Sequence, residues 1–380
     1  MVTQNINVNN QYENAIRDEK SNFIDMNKRL YIPQALFIKV ARFLNFSYNR
    51  MYMAGKIGNL LAYIILMFFA IRIIKSNKVV LASIALLPTL VLLASSYSYD
   101  AMTTGFLTLG IVIWYNEIIE NKKKIVWYKV LCGLCCIIIG CYAKAIYIPL
   151  IILYCTFEKC KFSDKKQKRL FNIGVIILCI LVMCTFVLPA VTNAIGNNAS
   201  WGADLRGGDT SVTLQLKSIL LHPIQFIHLL LKSLVQSAGG YFYGNEGWMN
   251  LSLSGGMLPE RFIYLLMPFL LITFFVKCEN STTYILENKY KIISILTILI
   301  SIVLIWTALY LSFSAVGVEE ISGVQARYYA PFLALIGLVG KNNRIKVKIS
   351  ELAYNRICMG IPVYLLFYAV YFIVFANKVA

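Results

Sequence analysis

The sequence predicts an all-α, polytopic integral membrane protein with about ten transmembrane helices, and three observations carry that prediction. Hydrophobic residues make up 59% of the 380-residue chain and charged residues only 14%, where a soluble domain carries about a quarter charged. The mean hydropathy is +0.67, and the apolar residues gather into repeated runs near the length that crosses a hydrocarbon core. The net charge of +18 sits mainly between those runs. That placement follows the orientation rule for cytoplasmic loops and argues against a nucleic-acid partner.

Residues 1–30 are polar and Asn-rich, without periodicity or the apolar core of a signal peptide. They read as an N-terminal segment without packed structure, ahead of a multi-spanning domain at 31–380. From Tyr31 to Phe46, Ile32, Leu36, Val40 and Phe43 alternate with Lys39 and Arg42, the pattern of a helix lying on a membrane surface. Spans follow at about Ile57–Ile74, Val79–Ser96 and Ala101–Ile119. The next apolar run, Ile125 to Phe157, is too long for one span and breaks at Ala143-Lys144-Ala145. It therefore reads as two short helices, about Val126–Tyr142 and Ile146–Phe157. After a basic loop, further spans fall at about Phe171–Val191, Pro259–Val276, Ile292–Phe313, Tyr328–Val339 and Ile357–Phe375. Between them, 193–258 is the largest polar excursion. Its residues 211–237 form an amphipathic interfacial helix that Pro223 should kink or divide.

Loops after the first, third, fifth, seventh and ninth spans hold most of the Lys and Arg between spans, which places them in the cytoplasm. Asp100, Lys144, the 193–258 segment and residues 314–327 then share the outer face. This orientation leaves the basic segment 1–50 outside, so a further span upstream of this chain is expected.

The candidate residues lie on that outer face. Asp100 is the one ionisable group in the turn Ala94–Met102 that joins two apolar runs. It is either an acid capping the following helix at the interface or a working carboxylate. The last outer loop runs Glu319-Glu320-Ile321-Ser322-Gly323-Val324-Gln325-Ala326-Arg327-Tyr328. Arg327 suits bidentate recognition of a phosphate; the plainer reading pairs it with Glu319 or Glu320. Lys144 is either a second phosphate contact or a snorkelling lysine. His222 and His228 are six apart, a poor spacing for a shared metal. Cys132 and Cys135 sit inside an apolar helix, where packing explains them better than redox or metal chemistry.

Several stretches occur in one order: Tyr31-Ile32-Pro33-Gln34-Ala35, Gly55-Lys56-Ile57-Gly58-Asn59, Ser96-x-Ser98-x-Asp100, His222-Pro223 with Phe226, Gly247-Trp248 and Gly323-Val324-Gln325-Ala326-Arg327-Tyr328. In that order they resemble a family of bacterial multi-spanning membrane proteins of unknown function, domain-of-unknown-function family two-one-four-two, grouped with the GT-C glycosyltransferases. The resemblance runs from Tyr31 to the C-terminus. It departs from the family at Lys56 and Ala326, and in lacking the first outer loop where such enzymes keep their catalytic acid.

The resemblance implies a multi-pass protein of the bacterial cell membrane that moves a sugar from a polyprenyl-phosphate-linked donor to an envelope glycan or other acceptor. Asp100, Glu319 and Glu320 are the candidate catalytic carboxylates. Lys144, Gln325, Arg327, Tyr328, Arg206, His222 and Trp248 are the candidate substrate contacts. No cofactor is implied, and a divalent metal stays an option. The alternatives are a flippase or transporter for lipid-linked glycans, a glycan polymerase, and a truncated homologue without catalysis.

Overall fold

The computed structural model describes residues 26–120, 124–195, 210–243, 260–279 and 281–375. The chain enters through a 3-10 turn at Met26–Tyr31 and helix α1, Ile32–Phe43. Pro33 opens α1, where its missing N–H costs nothing. Ile32, Leu36, Val40 and Phe43 stand exposed while Gln34 and Ala41 are buried, so α1 keeps its apolar stripe outward. It packs against α2, Tyr48–Ile73.

The expected second span is divided. Pro88 starts a new helix, leaving α3 at Lys78–Ala85 and α4 at Pro88–Ala94. Helix α5, Asp100–Ile119, follows the turn, and α6 covers Trp127–Cys141. The break expected at Lys144 is present: α6 ends, Lys144 lies in extended backbone, and a 3-10 helix runs Ala145–Thr156. Helix α7 spans Lys165–Ile195. The interfacial pair is α8, Val212–Leu221, and α9, Pro223–Tyr243, bent by 110° at His222-Pro223. Then come α10, Glu260–Phe275, and α11, Asn288–Ser312. A 3-10 helix at Ala326–Phe332 runs directly into α12, Leu333–Gly340, and α13 spans Glu351–Val374. Two short parallel strands, β1 at Lys277–Cys278 and β2 at Lys346–Val347, pair beside the ends of α10 and α12.

Among the described residues, five helices are long and apolar enough to cross a bilayer, or six if the bent pair α8–α9 counts as one. That falls short of the ten expected. The apolar runs at 79–96, 125–157, 260–275 and 328–339 fold as helices that are short, divided or 3-10 and so miss that length test, although Lys144 and Arg327 lie at the Asp100 end of α5 and Lys78, Lys161 and Lys341 at its other end. Residues 1–25, which hold most of the polar N-terminal segment, lie outside the described residues.

Helix α5 is the axis of the fold. Of its membrane-length stretch 78% is buried inside the protein, against 6% for α7. Small residues permit this, because with no water to exclude, close backbone approach supplies much of the packing. A Cβ on Gly110 would stand 3.0 Å from the carbonyl oxygen of Gly133 and 2.5 Å from Ile137 Cγ1, so α5 and α6 touch through their backbones there. Tyr154 adds a hydroxyl hydrogen bond of 2.8 Å to the Gly110 carbonyl.

The far end of α5 is closed by Lys161, only 1% exposed. Its Nζ donates to the carbonyl oxygens of Glu117 and Glu120, each at 3.0 Å, and pairs with the Glu117 carboxylate at 2.8 Å. A buried cation on the last carbonyls of a helix satisfies acceptors that no turn follows to use, and it suits the helix dipole.

Candidate functional site

The near end of α5 carries Asp100, whose position rests on the turn before it. Asn59, fully buried on α2, donates through Nδ2 to the carbonyl oxygens of Ser96 (2.9 Å) and Ser98 (3.0 Å). Gly55, one turn earlier, clears the space that Tyr97 fills: a Cβ there would meet Tyr97 Oη at 2.2 Å. Within the turn, Ser98 Oγ donates to Asp100 Oδ2 at 2.8 Å and accepts from the Asp100 backbone N–H at 3.1 Å. Tyr99, not Asp100, is the capping residue, and the carboxylate occupies the first turn of α5. The helix dipole favours a negative charge at that end.

Two cations from distant segments converge on this carboxylate, which is 4% exposed. Lys144 Nζ lies 3.3 Å from Oδ1 and Arg327 Nε lies 3.5 Å from Oδ2. The plainer reading of Arg327, an ion pair with Glu319 or Glu320, does not hold: both glutamates are exposed and Arg327 turns to Asp100. Nor does Lys144 snorkel. Its ammonium sits over the Tyr328 ring at 3.5 Å and the Tyr99 ring at 5.1 Å, contacts that favour a cation. Burial pushes the Lys144 ammonium down to about 8, Asp100 works against that, and Arg327 adds to it. Burial and then Asp100 also raise the Tyr31 hydroxyl, while Arg327 lowers it, so this phenol remains a neutral donor beside the cluster. Tyr31 meets Tyr99 edge-on at 5.8 Å.

The loop that delivers Arg327 depends on Gly323, whose φ of +83° is a left-handed backbone. Any Cβ there would also stand 2.3 Å from Phe313 Cδ1. The following 3-10 helix is tied to the one after Lys144 by the Tyr147 hydroxyl, which donates to the Tyr328 carbonyl at 2.8 Å. Arg327 and Lys144 are thus held on two linked elements.

Two cavities with polar groups in their walls lie along the loop that carries Arg327 and share Gly323 and Gln325. One, of about 200 Å³, is lined by Gln325, Arg327 and Tyr328. The other, of about 610 Å³, is lined by Glu320, Ser322, Gln325 and Ser237 of α9. An apolar cavity of about 380 Å³ is lined by Tyr329, Phe332 and Leu333, which follow Arg327 on the same stretch, and by residues of α9, α10 and α11. Arg327 Nε is buried and faces the Asp100 carboxylate in that ion pair, at a distance too long for a good hydrogen bond. With one carboxylate and two cations, the cluster carries a formal +1 and can hold an anion.

Of the candidates read from the sequence, Asp100, Lys144, Arg327 and Tyr328 come together, and Gln325 and Glu320 line the adjoining cavities. Glu319 is exposed, and the structure does not bring it to the cluster. His222 stands exposed at the bend between α8 and α9. Arg206 and Trp248 lie outside the described residues. Among the described residues no three His, Cys, Asp or Glu side chains are grouped to hold a metal. Asn59, Ser98, Tyr31 and Tyr99 gained no functional role from sequence reasoning. An asparagine within an apolar span was the available signal for the first of them.

Comparison with known proteins gives one family match. The family described as a predicted membrane protein, DUF2142, matches residues 3–336, which include every residue of the cluster. No curated protein and no solved structure matches the chain.

Proposed function

The chain belongs to the DUF2142 family of predicted membrane proteins, and from that premise we propose that it is a GT-C-like membrane glycosyltransferase. It binds the phosphate of a polyprenyl-phosphate-linked sugar at the outer membrane face and passes the sugar to an envelope acceptor. The observation that carries this reading is the convergence of Asp100, Lys144 and Arg327, with Arg327 lining a small polar cavity and an apolar cavity along the same stretch.

The roles follow from position. Lys144 and Arg327 neutralise the phosphate, whose charge grows as the bond from its oxygen to the anomeric carbon breaks. Asp100, held by both cations, sets their geometry and is poorly placed to take a proton as well. Glu320, exposed and lining the larger cavity, is the carboxylate free to accept the acceptor hydroxyl proton as that oxygen attacks the anomeric carbon. The sugar is transferred, polyprenyl phosphate leaves, and the proton rests on the carboxylate until solvent removes it. Lipid tails would lie along Tyr329, Phe332 and Leu333.

The test is reconstitution of the full chain in liposomes with a polyprenyl-phosphate sugar and an envelope glycan, measuring sugar transfer and lipid-phosphate binding separately. Arg327→Gln should weaken binding of the lipid phosphate about tenfold or more. Glu320→Gln should leave binding within about twofold and cut transfer by about 10² or more. Binding without any transfer would reduce the function to capture of a lipid phosphate. Absence of both would overturn the reading.

A further inference from the structure

A separate cavity, of about 480 Å³, opens at the other end of α5, where Ile119 forms part of its wall. Asp100 and Ile119 are the first and last residues of the 20-residue α5, about 28 Å apart at 1.5 Å per residue. The two sites are therefore distinct. Four segments close this one: the α2–α3 turn with Lys75 and Lys78, residues 277–278 and 281–284 with Lys277, the end of α12 with Lys341, and the start of α13 with Glu351. Lys75 is paired with Glu120, and Glu351 is the acid within the lining. The excess is basic.

The cavity is built rather than incidental. Asn77 adopts a left-handed backbone, φ 64°, and its Nδ2 donates to the Tyr284 carbonyl at 3.1 Å. The Tyr284 N–H in turn donates to Ser76 Oγ at 2.9 Å. The β1–β2 pairing fixes Lys277 beside the segment after α12. Lys341 is 3% exposed. Its ammonium donates to the Val276 carbonyl and to Tyr354 Oη, which leaves one of its three protons without an acceptor among the described residues. Burial pushes Lys341 down to about 8, so it is mostly charged at neutral pH. A lysine buried this far, in a cavity walled by Lys78 and Lys277, is stabilised by an anion entering from the open side.

We propose that this cavity binds a phosphate group, supplied by the headgroup of an anionic phospholipid in the leaflet it faces. The distribution of Lys and Arg places this face in the cytoplasm, where anionic headgroups are concentrated and basic pockets between helix ends select them. A bound headgroup would tie the ends of α2, α10 and α12 to the start of α13. It would brace one end of α5 while the proposed chemistry runs at the other.

The experiment uses the full chain in nanodiscs of neutral lipid, with phosphatidylglycerol or cardiolipin titrated in as one arm and inorganic phosphate as the other. Thermal unfolding and native mass spectrometry of retained lipid are the readouts. The variant is K78Q/K277Q, and a K165Q/K166Q chain with the same charge loss elsewhere is the control. Anionic lipid should raise the unfolding temperature of the parent and the control alike. For K78Q/K277Q its apparent affinity should fall about ten- to thirtyfold, from two lysines lost. An effect of inorganic phosphate alone, abolished in K78Q/K277Q, would assign the same site to a free phosphate ligand. Equal losses in both variants would reduce the effect to general surface charge and overturn the site, as would no response to either ligand. Neither readout involves sugar transfer, so failure here leaves the Asp100 site untouched.

Discussion

Replacing Asp100 with Asn keeps the shape of the side chain and removes the charge that two cations share. At an effective dielectric of about 20, each contact, 3.3 Å to Lys144 and 3.5 Å to Arg327, corresponds to about 5 kcal/mol of Coulomb attraction. Desolvation of three charged groups offsets much of this. Breaking a buried pair costs about 3–5 kcal/mol. The Lys144 and Arg327 side chains keep 15% and 20% of their exposure, so the low end, about 3 kcal/mol, is the expectation. The Asp100→Asn protein should therefore unfold at a temperature lower by about 5 °C or more, measured by tryptophan fluorescence in detergent. Adding Lys144→Met and Arg327→Met to the Asp100→Asn protein should recover part of the loss, because the triple variant no longer buries two unpaired like charges. If Asp100→Asn shifts the transition by less than about 1 °C, the cluster does not form and the site built on it falls.

Three further expectations follow from the same geometry. Binding of a lipid phosphate should be strong below about pH 8, where Lys144 is charged, and decline above it as the ammonium loses its proton. A bound phosphate will move that midpoint upward, and isothermal titration across pH 6–10 reads both. Asn59→Leu removes the donors that hold the Ser96 and Ser98 carbonyls. At about 1 kcal/mol per bond, the cost is about 2 kcal/mol in thermal unfolding, with ligand binding weakened because Asp100 loses its seat. Gly110→Ala presses a methyl against the Gly133 carbonyl and Ile137. The expected cost is about 1–3 kcal/mol, with binding unchanged once the protein is folded.

The sequence alone determined the class and much of the local structure. Hydropathy is a property of short windows, so the spans at Ala101–Ile119 and Ile292–Phe313 appear in place as Asp100–Ile119 and Asn288–Ser312. A lysine inside an apolar run marks a break for the same local reason, and Lys144 sits in that break. Pro223 announced the bend that divides α8 from α9. Hydropathy did not fix how each apolar piece folds. A run such as Val79–Ser96 satisfies the hydropathy test whether it is one helix or two, and Pro88 divides it into two.

Only tertiary structure selected the partner of Arg327. Glu319 and Glu320 are near in sequence, yet Asp100 holds the guanidinium because Gly323 turns the chain and Tyr147 links the two 3-10 helices. The same holds for Asn59, which reads as one polar residue in a span until the Ser96–Ser98 carbonyls stand against it. Periodicity and composition describe what a segment buries. Which charge meets which is set by how segments far apart in the chain pack, and no local pattern carries that information.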